Sequence, residues 1–178
     1  GLNAYNAKYA LIQRGINTDW ISMPLRNAFD HKHSIYIEGG TPNLRYGVDA
    51  SYNGGEGVMK GSGRDRYSIG FSLDYRVKKL QVKNTVSFGH TKSTESPYGS
   101  FSDYTGLQPY ESPYDPYDET KLRIKMKYSS KGGSTVNNPL YEATLKNYEW
   151  SAYDEIIDNL SVNWYLTDYL TLKGQFSV

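Results

Sequence analysis

The chain has 178 residues, a net charge of +1 at pH 7 with both signs interspersed, and no cysteine. That length allows one ordinary domain with a sizeable core, the charge balance points to neither nucleic acid nor an acidic partner, and the absence of cysteine excludes disulfides and thiolate metal sites. No apolar run approaches the ~18 residues a membrane helix requires; a mean hydropathy of −0.68 would read as soluble, but a membrane barrel also gives such a value, because only alternate strand residues meet lipid.

No secretory signal opens the sequence, and Gly1 reads as a processing scar. Residues 4–29 form the one stretch with a helical pattern. A short amphipathic turn runs through Tyr5, Tyr9 and Ile12 and is expected to stop at Gly15 as a C-terminal cap. Thr18 or Asp19 caps a second turn bearing Trp20, Ile21 and Met23, limited by Pro24. Strand patterns follow. His33 to Glu38 is a short one. Leu44, Tyr46, Val48, Ala50 and Tyr52 alternate with Arg45, Gly47, Asp49, Ser51 and Asn53.

The segment from Arg64 to Val77 carries the strongest pattern. Tyr67, Ile69, Phe71, Leu73, Tyr75 and Val77 fall on one side of an extended strand, and Arg66, Ser68, Gly70, Ser72, Asp74 and Arg76 on the other, because successive strand side chains point to opposite faces. The apolar side is aliphatic in its middle with a tyrosine towards each end. Those tyrosines lie roughly 26 Å apart along a strand at ~3.3 Å per residue. At a tilt of about 40° this gives roughly 20 Å of height, close to the ~25 Å apolar band between the aromatic girdles of an outer-membrane barrel. Tyrosine outnumbers phenylalanine eighteen to five, a ratio suited to surfaces with one wet and one apolar end.

Leu80, Val82, Val86 and Phe88 continue the alternation, with Asn84 interrupting the apolar side. Leu160, Val162, Trp164 and Leu166, then Leu170, Leu172 and Phe176, complete it. Six such strands with almost no helix between them predict an all-β, antiparallel up-and-down meander. Gly39–Asn43, Lys78–Lys79 and Thr167–Tyr169 read as tight turns, whereas Gly54–Gly63 and the loop 91–153 are long. Short and long links alternate, which puts all tight turns at one rim, the asymmetry of outer-membrane barrels. Leu122, Ile124, Met126 and Tyr128 also alternate, but a wall strand there would break the parity, so a hairpin inside the long loop is expected. Six strands do not close a barrel, and the sequence stops within a strand pattern, so it reads as a piece of something larger.

Several segments carry a resemblance: N-T-D-W at 17–20, G-G-T at 39–41, G-V-M-K-G-S-G-R-D-R-Y-S at 57–68, N-P-L-Y-E-A-T-L at 138–145 and N-L-S-V-N-W-Y-L-T-D-Y-L-T-L-K-G-Q-F-S-V at 159–178. Over nearly its whole length the chain resembles the SusC/RagA family of TonB-dependent outer-membrane transporters, which import glycans or peptides in Bacteroidetes. The resemblance implies an N-terminal plug followed by a 22-stranded barrel. Residues 1–30 would then be the plug-to-barrel junction, and 31–178 a partial barrel domain of about six strands with an extracellular loop at 91–153. It implies a SusD-like lipoprotein and TonB, acting through a plug absent from this sequence, as partners, an oligosaccharide or peptide as substrate, and the outer membrane of a Gram-negative bacterium as location.

The long loop holds Tyr98, Phe101, Tyr104, Tyr110, Tyr114 and Tyr117 among Pro, Gly, Ser and Asp. Sugar rings stack on aromatics and offer hydroxyls to Asp and Asn, so Tyr98, Tyr104, Tyr110, Tyr114 and Tyr117 are candidate ligand contacts, against the alternative that they pack the loop on itself or on a lipoprotein lid. The glycines of 54–63 superficially resemble a phosphate-cradling loop. A strand follows where a helix N-terminus is required, so a flexible hairpin loop is expected. His31 and His33 share a strand face without a third ligand; Asp154, Glu155 and Asp158, and Asp115, Asp118 and Glu119, lack EF-hand spacing and read as solvated loop acids. No metal and no cofactor is expected. Without a G-x-S-x-G elbow or triad partners for the histidines, the chain does not read as an enzyme. The alternative is a soluble β-sandwich or lipocalin-like module binding carbohydrate or another ligand, its apolar faces turned inward.

Overall fold

The computed structural model describes residues 2–127, 135–145, 147 and 149–178. They form two compact units, a sheet made of residues 29–55, 64–93 and 151–178, and a loop body made of 2–28, 56–63 and 94–150.

The sheet contains β1 (Asp30–Thr41), β2 (Leu44–Glu56), β3 (Gly63–Val77), β4 (Leu80–Thr94), β7 (Trp150–Tyr165) and β8 (Thr171–Ser177). They lie in the order β1-β2-β3-β4-β7-β8, an antiparallel meander as the period-two pattern predicts. The strands run past the expected limits. His33–Glu38 is only the middle of β1, which pairs residue by residue with β2 from Asp30↔Gly55 to Thr41↔Leu44. Histidines and glycines weaken its apolar period, but pairing with β2 along its whole length holds it extended regardless. The turn shrinks to Pro42–Asn43. Gly40 has φ +148°, and a Cβ there would stand 2.0 Å from the Leu44 carbonyl oxygen, so glycine is required. Lys78, at φ +51°, supplies the left-handed step of the next tight turn. The tight turns fall at one end of the sheet and the long connections at the other.

The loop body holds α1 (Leu2–Gln13), α2 (Phe101–Thr105) and α3 (Pro139–Ala143), with a two-stranded sheet of β5 (Lys125–Met126) and β6 (Val136–Asn137). Helix α1 is longer than the single turn expected, and Gly15, at φ +70°, follows it. Asp19 caps the next turn by accepting the Ser22 amide at 3.2 Å. The two short helices were not signalled by any helical pattern: Ser100 and Asn138 cap them with their side chains, and each ends within a turn or so. The alternation at 122–128 belongs to hairpins inside the loop. Leu122 bridges Tyr114, Met126 pairs with Val136, and Tyr128 lies outside the described residues.

Trp20, Tyr104, Leu107 and Met126 form the core of this body, with Met23, Tyr98, Val136 and Leu140 packed on it. The Trp20 indole donates to the Gln108 carbonyl at 3.0 Å. Arg26 donates to the carbonyls of Gly57 at 3.1 Å and Ser62 at 2.8 Å, and the Lys60 ammonium to that of Met23 at 2.7 Å. The 57–62 loop, expected to be flexible, is thus fastened by charge-assisted bonds. Buried Asn138 donates to the carbonyls of Pro113 (3.0 Å) and Arg123 (2.8 Å) while accepting the Leu140 amide (3.1 Å), joining three segments through one side chain.

Candidate functional site

The sheet has two unlike faces. On one, Ile35, Ile37, Val48, Ile69, Phe71, Val86, Val162, Trp164, Leu172 and Phe176 project together, as their registers and shared parity require. They are uncovered: Ile69 is 58% exposed, Phe71 43% and Trp164 50%. Towards the long-connection end this face carries a continuous row of rings. His31 packs on His33 at 5.3 Å and on Tyr52 at 5.4 Å, Tyr52 stacks on Tyr67 at 4.7 Å, and Tyr67 meets His90 at 6.4 Å. Tyr46, Tyr75 and Trp164 lie towards the tight-turn end of the same face. Asn84, which breaks the apolar pattern in sequence, donates to Asp158 Oδ1 at 2.6 Å, so two polar residues of this face satisfy one another.

The opposite face is polar and bonded across strands. Arg66 reaches from β3 to Glu155 on β7 at 2.7 Å. It passes over Gly89 of the strand between, where a Cβ would meet Glu155 at 2.9 Å. Arg64 donates to the Tyr153 hydroxyl at 3.3 Å. Asp74 accepts from Gln81 at 2.8 Å and pairs with Lys83 at 3.4 Å, and Tyr165 donates to Gln81 at 3.1 Å. The Ser51 and Ser68 hydroxyls are 2.8 Å apart. Asp154, Glu155 and Asp158, expected as loop acids, are instead strand residues. They bond to His90 (2.6 Å), Arg66 (2.7 Å) and Asn84 (2.6 Å) respectively.

The loop body offers a groove of about 500 Å³ between α1 and residues 110–127. Leu11, Ile16, Tyr110 and Tyr114 supply its apolar and aromatic surface, Arg14, Arg123 and Lys127 its cations, and Glu111, Asp115 and Glu119 its carboxylates. Asp115 and Asp118 shape the adjoining turn. Asp115 accepts the Tyr117 amide at 2.8 Å, and Asp118 accepts the Thr120 amide at 3.1 Å and pairs with Lys121 at 2.8 Å. The Lys121 bond, then the Thr120 bonds, hold the Asp118 carboxyl below its ordinary value, and Ser22 does the same for Asp19. Among the described residues no group of three metal-ligating side chains converges.

The five tyrosines singled out from the sequence are therefore dispersed. Tyr110 and Tyr114 meet in the groove. Tyr117 is 97% exposed and stands apart. Tyr98 packs against the core, with the Lys60 ammonium 5.9 Å from its ring centroid. Tyr104 is wholly buried, its hydroxyl pushed up from the ordinary phenol value by that burial; it has no surface to offer a ligand. Asp115 and Glu119 were visible as loop acids, but Arg14 and Glu111 escaped sequence reasoning because they come together only when α1 packs beside the loop.

No family model matches this chain. It is similar to the TonB-dependent receptor SusC of Bacteroides thetaiotaomicron, with 26% identity over 166 residues, covering 83% of this chain and 16% of that protein. The likeness is distant. It suggests a relation to TonB-dependent receptors, and the chain spans 16% of that relative's length.

Proposed function

We propose that the chain forms part of the barrel wall and outer loops of a SusC/RagA-type TonB-dependent transporter that imports oligosaccharides or peptides across the outer membrane. The observation that carries this reading is the sheet's division into an uncovered apolar face edged by rings and a polar face bonded across its strands. Water on both sides would leave that apolar face unexplained, since a soluble monomer rarely exposes contiguous apolar patches beyond a few hundred Å². A sandwich would need a second sheet over it, and the other sheet among the described residues has only two residues per strand. Hydrocarbon supplies the cover.

On this reading the long connections are extracellular. Residues 1–30 are read as the plug-to-barrel junction that the resemblance implies, leading into β1. Tyr110, Tyr114 and Tyr117 remain the ligand-contacting candidates: two tyrosines beside carboxylates and guanidinia suit the C–H faces and hydroxyls of a sugar. A SusD-like lipoprotein would deliver substrate from the same side, and TonB would supply energy through a plug. The test is solubility. The protein should require detergent or lipid to remain monodisperse; a folded monomer in plain buffer would contradict the wall.

A further inference from the structure

The apolar face is dented where the ring row meets the aliphatic part of the sheet. Ala50 on β2 lies opposite Ile35 on β1, and the Tyr52–Tyr67 stack and the Ser51–Ser68 contact put Ile69 of β3 on its other side. A methyl group between two isoleucines leaves a shallow cleft of about 430 Å³ with an apolar floor. One row further towards the long connections, His33, Tyr52 and Tyr67 line the same cleft. The Tyr52 hydroxyl already donates to Asp65 at 2.9 Å, which fixes that ring at the polar end.

We propose that this cleft holds one membrane lipid, its acyl chain lying over Ile35, Ala50 and Ile69 and its phosphate-bearing head group beside His33 and Tyr67. The inference rests on the wall reading and deepens it, from bulk hydrocarbon to a lipid held at one place. Two features select this occupant. The floor is continuous with the face that hydrocarbon covers, so an acyl chain lying in the dent keeps apolar contact along its length. The polar end offers an imidazole and a phenol, which can donate to phosphate oxygens. Free phosphate would use the rim and leave the floor wet, whereas an apolar side chain of a second copy would use the floor and leave the rim unpaired.

The test measures lipid retained by the protein after extraction from outer membranes into mild detergent and extensive washing, by mass spectrometry of the intact complex. The wild type should keep one phosphate-bearing lipid per chain. Ala50→Phe, which fills the dent, should lose it; His33→Ala should keep less; Val48→Phe, on the same face but beyond the cleft, should keep it. Ala50→Leu serves as a milder filler should Ala50→Phe fail to insert, and should also lose the lipid. Equal retention by the wild type and the fillers, retention of phosphate without lipid, or a second copy in place of lipid would each overturn the proposal. A protein that needs detergent yet retains lipid equally in all variants loses only the cleft; one that needs no detergent loses the wall reading itself.

Discussion

The loop body buries Trp20, Tyr104, Leu107 and Met126, along with Glu111 and Asn138. The sheet carries most of the strand-borne aliphatic residues, yet its buried positions among the described residues are Gly47, Gly54, Gly70, Gly89 and Thr91. The glycines are buried because neighbouring side chains lie across the strand where a side chain of their own would stand: the Asp49 carboxylate covers Gly70, and Glu155 crosses Gly89. One region is thus organised around a dry interior. The other uses Gly47, Gly70 and Gly89 to knit a polar surface and leaves its apolar surface to something outside the chain. The hydrophobic effect stabilises both only if that outside is apolar, which is the premise of the proposed wall.

The contrast can be broken most forcefully in the loop body. Trp20→Ala removes a side chain that is 3% exposed, together with its bond to Gln108. The loss should be about 3–5 kcal/mol, as for other buried aromatic truncations, read as rapid proteolysis within 94–150. Next comes the apolar face. Phe71 lies midway between Tyr67 and Tyr75, so Phe71→Arg should cost about 2–4 kcal/mol for folding into lipid vesicles, the penalty of a charge near the bilayer midplane. Were that face in water, the same exposed position would tolerate arginine with almost no effect. A smaller change is expected on the polar face. Arg66→Ala breaks a pair whose side chains are 51% and 35% exposed, and solvent screening limits the loss to about 1 kcal/mol or less, measured by urea unfolding in vesicles. The smallest effect concerns the 115–121 turn. Asp118 is held below its ordinary value of 3.8 by Lys121 and Thr120. A depressed folded value means that the stabilisation is present above the ordinary carboxylate range and is lost as pH falls through the lower folded value. The Thr120 amide resonance should follow that titration, and Asp118→Asn should abolish the dependence.

The two regions were also unequally legible in the sequence. A strand's faces follow from a period of two, so Ile69, Phe71 and Leu73 announced their side, and the alternation of short and long links announced the meander. Strand ends were harder to read. The apolar period fades at His31 and Gly39 of β1, but pairing with β2 continues to Thr41. Asn84 was visible as an interruption, though its partner Asp158 lies 74 residues away. The loop body offers little period to read beyond the alternation at 122–128 and the turn through Tyr5, Tyr9 and Ile12. Its core joins Trp20 to Tyr104, Leu107 and Met126, contacts that no local pattern records. Tyr104 looked like its loop neighbours in composition and proved to be core, and the groove draws α1 and residues 110–127 together across a distance in sequence that composition cannot bridge.

One measurement bears on the orientation of the sheet most directly. Spin labels placed singly at each position from Tyr67 to Val77, in protein reconstituted into bilayers, report collisions with oxygen, which concentrates in hydrocarbon, and with a nickel chelate, which stays in water. The account predicts a strict alternation, with high oxygen and low nickel access at 69, 71 and 73 and the reverse at 70, 72 and 74. Low access to both reagents at 69, 71 and 73 would mean a protein interior, and nickel access on both faces would mean water; either result contradicts it.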